Sequence, residues 1–398
     1  MAIDQTATTA KAFIRLVGSR AWAQRMADLG QGTAAGPHIR RALFQRHALE
    51  LTLDRMARGL NRPANGAEQR VHDVAREVLS AFASLATAGR ERMRALLHDC
   101  LSGDRTLVPV FHLARTASLQ RSRGFAVAFA GLADGAPFDL LLSREGMAAE
   151  VACDVVSAED GRDVHRGAWV RLIDRIDPDL QTWLAAHPGR YLLKLTLPQG
   201  LRTDEHHQSL LATLHDRIRG MLSTQRRADH DEAAVLRLDP LMLAGAQAGE
   251  FGLLGSLRRE FGHEAHLAVT EAGGGVFVMA ARAGRENEVA VAIRRRMATI
   301  APARLTGTRP GILAMFVEDT DRAEWRHLRE RLELEGEARQ FLTFPQARSV
   351  VAVTCSSRLE LLGATVPDAA ADGELRFRNP SHPAAKAAAL APAVLSSL

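Results

Sequence analysis

Three acidic residues, Asp139, Glu150 and Asp154, stand in the stretch FDLLLSREGMAAEVACDVVSAEDGR, residues 138–162, inside runs otherwise rich in aliphatic and β-branched side chains. A carboxylate placed in such a run is costly unless something neutralises it. If the chain turns at SREGM, the run carrying Asp139 lies antiparallel to the run carrying Glu150, and Asp139 falls opposite Glu150 or on its diagonal. Glu150, Ala152, Asp154 and Val156 then share one face of their strand. Two or three carboxylates converging there repel each other unless a hard cation such as Mg²⁺ or Mn²⁺ lies between them. Asp139 and Glu150, with Asp154 as a third donor, are therefore the expected metal ligands. The alternative is that each is a solvent-facing acid at a sheet edge.

Cations that could complete such a site stand nearby. SAEDGRDVHRG packs Arg162 and Arg166 among Glu159, Asp160 and Asp163 at the start of a helix, with Arg171 one turn further on. Acids are favoured at a helix N-terminus by the dipole alone, yet such a terminus also grips phosphates. Lys194 interrupts the apolar run YLLKLTL, where a lysine is costly to bury unless paired, or else reaches out to water. Other chemistries find no support. EAGGGV lacks the Lys-Ser/Thr of a phosphate loop, and no Gly-x-Ser-x-Gly elbow occurs. Cys100, Cys153 and Cys355 have no paired spacing, so neither a disulfide framework nor a zinc knuckle is suggested.

A helix, LVPVFHLARTASLQRSR, leads through Gly124 into three β-rich runs, and the acids occupy the second and third. That order resembles the PD-(D/E)XK nuclease-like superfamily, through SRGFAVAFAG, PFDLLLSREG with Asp139 and AAEVACDVVSAEDGR with Glu150. The resemblance covers roughly residues 107–200. It implies that Asp139 and Glu150 hold Mg²⁺, which acidifies the attacking water and stabilises charge on phosphorus. It also implies a strand lysine two residues after Glu150, where this chain has Ala152. Lys194 or Arg166 is the expected stand-in, so the implied catalytic set is Asp139, Glu150, Lys194 and Arg166. The upstream helix, where many members carry a Glu, offers His112 and Arg115 instead. Arg115, Arg162, Arg166 and Arg171 are the expected nucleic-acid contacts. Two readings remain open: a metal-dependent nuclease acting on nucleic-acid phosphodiesters, or a catalytically inactive nuclease-like fold that binds nucleic acid or protein.

The elements that must position these residues are an α/β set. Residues 1–105 show helical spacing, and from about 107 to 362 short β-rich runs alternate with helical ones. The expected fold is a mixed β-sheet flanked by helices, a restriction-endonuclease-like core, behind a helical N-terminal region. The expected parts are 1–105, helical; 106–230, the nuclease-like core; 231–362, a further α/β region that could continue the core; and 363–398, a loosely ordered Ala/Pro-rich tail. Strands are expected at 125–132, 138–143, 149–157, 191–197, 234–239, 266–272, 275–281, 311–319 and 349–356, with EAGGGV as a hairpin turn. The chain has 398 residues and a net charge of +5, and nearly all its cations are arginines. That balance permits a polyanionic partner without requiring one. Nowhere do about 18 apolar residues run together, so a cytoplasmic protein that does not enter membranes is expected.

Overall fold

The computed structural model describes residues 2–32, 36–59, 62, 64–202, 205–241, 250–262 and 264–397. Seven helices come first: α1 (Ala2–Val17), α2 (Ser19–Gly32), α3 (Pro37–Arg46), α4 (Ala48–Arg58), α5 (Gly66–Ser84), α6 (Thr87–Cys100) and α7 (Val108–Ser122). Then follow β1 (Ala126–Ala128), α8 (Ala130–Asp134), β2 (Leu140–Arg144), β3 (Met147–Ser157), α9 (Arg166–Ala186), β4 (Arg190–Leu197) and α10 (Glu205–Ser223). The chain continues through β5 (Ala228–His230), β6 (Val235–Pro240), α11 (Glu250–Phe261), β7 (His266–Ala272), β8 (Gly275–Ala283) and α12 (Val289–Arg304). It ends with β9 (Gly311–Glu318), α13 (Arg322–Glu330), α14 (Glu333–Leu342), β10 (Val350–Ser357), α15 (Arg358–Leu361), β11 (Leu375–Arg378) and α16 (Ala391–Val394). This is an α/β protein with two mixed sheets. Among the described residues no helix is long and apolar enough to cross a membrane.

Two compact units form, and their boundaries differ from those read in the sequence. The first comprises residues 1–30, 44–158 and 290–398; the second comprises 31–43 and 159–289. In the first, a six-stranded sheet runs β1-β2-β3-β9-β10-β11. Strands β1 to β3 form an antiparallel meander, β9 lies parallel to β3, β10 parallel to β9, and β11 antiparallel to β10. The expected pairing of 138–143 with 149–157 is present, with Leu140 opposite Val151 and Leu141 opposite Glu150.

The N-terminal helices are not a separate layer of their own. Phe13 of α1, Leu53 of α4, Val71 of α5 and Phe111 of α7 share one core with Leu140, Leu142, Val151, Ile312, Ala314 and Phe316 of the sheet. Helices α1, α4, α5 and α7 thus supply the apolar cover that one sheet face requires. Nor is the C-terminal stretch loose. Strand β11 pairs Leu375 with Cys355 and Arg378 with Ala352, and Leu390, Ala393 and Val394 are wholly buried in the same core. Its Ala/Pro-rich composition concealed short helical turns from which Leu390 and Val394 point inward.

Two element boundaries also differ. The run 125–132 is a strand only over Ala126–Ala128; the chain then turns at Phe129 into α8, where Gly131 donates its N–H to the Asp139 carbonyl at 3.1 Å. The stretch DRAEWRHLRERLELEG, residues 321–336, has the spacing of one helix, yet it breaks at Leu332, which adopts a left-handed φ of 59°, into α13 and α14.

In the second unit a five-stranded sheet runs β5-β6-β4-β8-β7, antiparallel except for the β4–β8 pair. Trp169, Leu172 and Ile176 of α9 and Leu214 and Ile218 of α10 pack on Leu193, Leu195, Leu236, Phe277 and Met279. The expected break near residue 230 disappears, because β4 and β6 on either side of it are neighbours. The EAGGGV hairpin is present, with Gly273 and Gly274 both at positive φ between β7 and β8, as a two-residue turn of that kind requires.

Candidate functional site

Asp139 immediately precedes β2, and its N–H donates to the Val151 carbonyl at 2.9 Å. It therefore lies across from Ala152 and diagonal to both Glu150 and Asp154, on the face those residues share. The three acids lie on one sheet face, and each carboxylate has its own cation. The Arg304 guanidinium at the end of α12 donates to both oxygens of Asp139, at 2.8 and 2.9 Å, and the Cys153 N–H reaches Oδ2 at 2.7 Å. Burial pushes the Asp139 carboxyl above the usual range, against the pull of Arg304 and the Cys153 N–H.

Glu150 is fully buried, at 0% exposure. Thr306 donates its backbone N–H to Oε2 at 2.9 Å and its hydroxyl to Oε1 at 2.5 Å, while Arg309 Nη1 stands 3.5 Å from Oε1. Asp154 receives Arg296 as a fork, Nε to Oδ2 at 2.5 Å and Nη2 to Oδ1 at 3.0 Å. All six carboxylate oxygens are thus engaged by donors from residues 296–309 or from the adjacent strand. The repulsion that called for a metal is relieved by arginines instead.

A Mg²⁺ or Mn²⁺ ion does not fit this arrangement. Mg²⁺ needs a near-octahedral shell of free oxygen ligands, and here it would have to displace Arg304, Thr306 and Arg309. Each charge-assisted hydrogen bond lost costs about 1.5–3 kcal/mol. Among the described residues, no group of three or more His, Cys, Asp or Glu side chains is placed to hold a metal ion.

The remaining expected residues go elsewhere. Lys194 is on β4, which pairs with β6 and β8 and not with β3, so the lysine belongs to the second unit's sheet. Its ammonium lies 3.3 Å from Asp239 Oδ2 and 5.5 Å from the centre of the Phe261 ring. Arg162 is only 3% exposed and is tied to Glu159. Arg166 opens α9, and its backbone N–H also donates to Glu159, at 3.0 Å. Arg171 is exposed on the same helix. Arg115, in the first unit, turns inward on α7 and donates to the Gly373 carbonyl. His112 on that helix shares a hydrogen bond with the Ala314 carbonyl at 2.8 Å, and burial lowers its pKa to about 4, which keeps the ring neutral.

The residues that decide the site lie in AIRRRMATIAPARLTGTRP, 142 to 165 positions away from the acids they meet. Their one sequence signal was five arginines within a short span between two β-rich runs. A second polar group also escaped the sequence reading, at the ends of β3 and β9. Thr106 donates to Glu318 Oε1 at 2.6 Å, and burial raises Glu318 to a pKa of about 7. Asp319, at a left-handed φ of 59°, takes the Ser157 hydroxyl at 2.6 Å and the Arg46 guanidinium.

Comparison of the chain with known protein families, with curated proteins and with solved structures returns no match.

Proposed function

We propose that the chain is a nuclease-like fold that binds nucleic acid without cutting it. The pairing of Asp139 with Arg304, Glu150 with Thr306 and Arg309, and Asp154 with Arg296 carries this reading. A hydrolytic metal site must offer open carboxylate oxygens and a cation beside the phosphate, and here every such oxygen already holds a donor. Ala152, where the resemblance implies a lysine, supports the same conclusion. The order of helix, strand, Asp139 strand and Glu150 strand favours the nuclease-like ancestry of the sheet, and the net charge of +5 favours a polyanionic partner.

The test is a melting curve with and without Mg²⁺ or Mn²⁺, beside cleavage and filter-binding assays on single- and double-stranded DNA and RNA. The expected result is a metal-independent melting temperature, no cleavage, and retention of nucleic acid that falls steeply with salt. Metal-dependent cleavage that Glu150→Ala abolishes would establish the metal-dependent nuclease instead, with Mg²⁺ on Asp139 and Glu150.

A further inference from the structure

Lys194 has no part in the carboxylate cluster, and its surroundings in the second unit point to a different use. Directly paired residues of neighbouring strands share a sheet face. Lys194 pairs with Arg237 on β6, and Thr196 pairs with Val235 on β6 and with Arg282 on β8. Since Leu193, Leu195, Leu236 and Leu238 fill the core beneath α9 and α10, all five of these side chains project from the opposite face. At one end that opposite face is closed, where Leu192, Val278 and Leu241 pack with Leu257 of α11. The cover reaches Ala280, the β8 partner of Lys194, and beyond it the face is open: Arg237 is 69% exposed, Lys194 40%, and Arg282 and His230 are also exposed.

Like charges directly opposite each other destabilise a strand pair, yet Lys194 and Arg237 are such a pair. A single acid, Asp239, serves both, at 3.3 Å from Lys194 Nζ and 2.9 Å from Arg237 Nε. Arg282 has no ion pair among the described residues. Three cations against one acid leave an excess of positive charge that an anionic ligand would neutralise.

We infer that this open face of the five-stranded sheet, centred on Lys194, Arg237 and Arg282, docks the phosphate backbone of a nucleic acid. The inference rests on the nucleic-acid-binding reading above and assigns it a surface. Strands about 4.8 Å apart set Arg237 and Lys194 side by side, and Arg282 follows on the next strand two residues along. The cations therefore form a flat array across three strands, suited to a backbone lying over the sheet. Val235 and Thr196 fill the space between them, and the nearby Phe261 ring lies against the Lys194 ammonium. Base-stacking platforms use exposed aromatic rings, so contact here is to phosphate and independent of sequence. A membrane surface would call for several large apolar side chains to insert, and on this face Val235 alone is a large exposed one among the described residues.

The experiment compares wild type, Lys194→Glu/Arg237→Glu/Arg282→Glu, and a control of equal net charge, Arg20→Glu/Arg331→Glu/Arg348→Glu, whose arginines are exposed in the first unit. Probes are labelled single-stranded DNA, single-stranded RNA and duplex DNA of mixed sequence, titrated at several salt concentrations. Circular dichroism melting verifies that each variant is folded, and Lys194→Gln/Arg237→Gln/Arg282→Gln replaces the reversal should it fail to fold. The expected result is that wild type and control bind alike while the face variant binds on the order of tenfold or more weakly. Its log–log salt slope for single strands should flatten by about 2, as three lost phosphate contacts require. Wild-type binding that the face variant retains, or that the control loses equally, overturns this inference and leaves the binding reading intact. No binding by wild type to any probe overturns both.

Discussion

Glu318, partly buried, and His112, fully buried, are titratable groups of the first unit, and their titrations pull its stability in opposite directions. Burial raises the Glu318 carboxyl from 4.5 to about 7, despite the Thr106 hydroxyl and Arg46, with Asp319 and Glu50 adding to the rise. The folded chain therefore holds a proton there that the unfolded chain releases, so this contribution is full below about 4.5 and is lost as pH rises towards 7. His112 behaves in reverse. Its pKa falls from 6.5 to about 4, so its contribution is full above 6.5 and is lost as pH falls towards 4. In the shared window each slope reaches at most about 1.4 kcal/mol per pH unit, and the two oppose each other. Denaturant unfolding between pH 4.5 and 7 should show Glu318→Gln losing stability towards acid relative to wild type, and His112→Gln gaining it. Parallel curves for all three proteins would mean that neither group titrates in this range. Neither was legible as a titrating group in the sequence. The placement of the acids at 139, 150 and 154 on one sheet face was legible, because strand alternation is a local pattern. Their arginine partners were not, because alternation says nothing about which distant helix returns over a strand face.

At the scale of elements, the sequence specified strands wherever a β-rich run was bounded by turn residues. It erred where tertiary contact overrode the local pattern, as at Phe129, where Gly131 docks on the start of β2. The β7–β8 turn was read correctly because Gly-Gly is a local signal, and the structure separates the tasks of the two glycines. Gly274, at φ 78°, has open space around a would-be Cβ, so Gly274→Ala should cost only the left-handed strain, about 1–2 kcal/mol. At Gly273, φ 57°, a Cβ would stand 2.9 Å from the Ala185 Cα, a backbone atom of α9. Gly273→Ala should therefore cost more, because α9 must shift as well. Urea midpoints of the two variants measure the difference, and equal losses would show that α9 accommodates the methyl group without cost.

Read along the chain, the sequence divides into consecutive parts, whereas most of the second unit is an insertion in the chain of the first. The chain leaves the six-stranded sheet after β3, builds the second unit, and returns through α12 to place β9 beside β3. Nesting is invisible to a reading that moves along the chain, since a strand gives no sign of whether its partner comes next or more than a hundred residues later. The ends of the inserted segment meet each other: Glu288 donates its N–H to the Gly161 carbonyl at 2.7 Å, and Gly161 sits against the Val289 backbone. Close termini are what allow one domain to be inserted into another. Among the described residues the two main cores, moreover, share none: one draws on buried positions up to 151 and from 312 on, the other on 164–281. The arginine-paired carboxylates belong entirely to the first. Replacing residues 163–286 with a short Gly/Ser linker should therefore leave the first unit folded, with a cooperative melting transition and its helical circular dichroism. The His38 and Ile39 N–H groups would lose Asp174, their acceptor at 3.0 and 2.7 Å, so residues 31–43 should become the most protease-sensitive part of the shortened chain. The same deletion removes Lys194, Arg237 and Arg282, and nucleic-acid retention should fall to the level of the charge-reversed face variant. A shortened chain that aggregates or melts without cooperativity would mean that the first unit's core does not suffice to hold its fold.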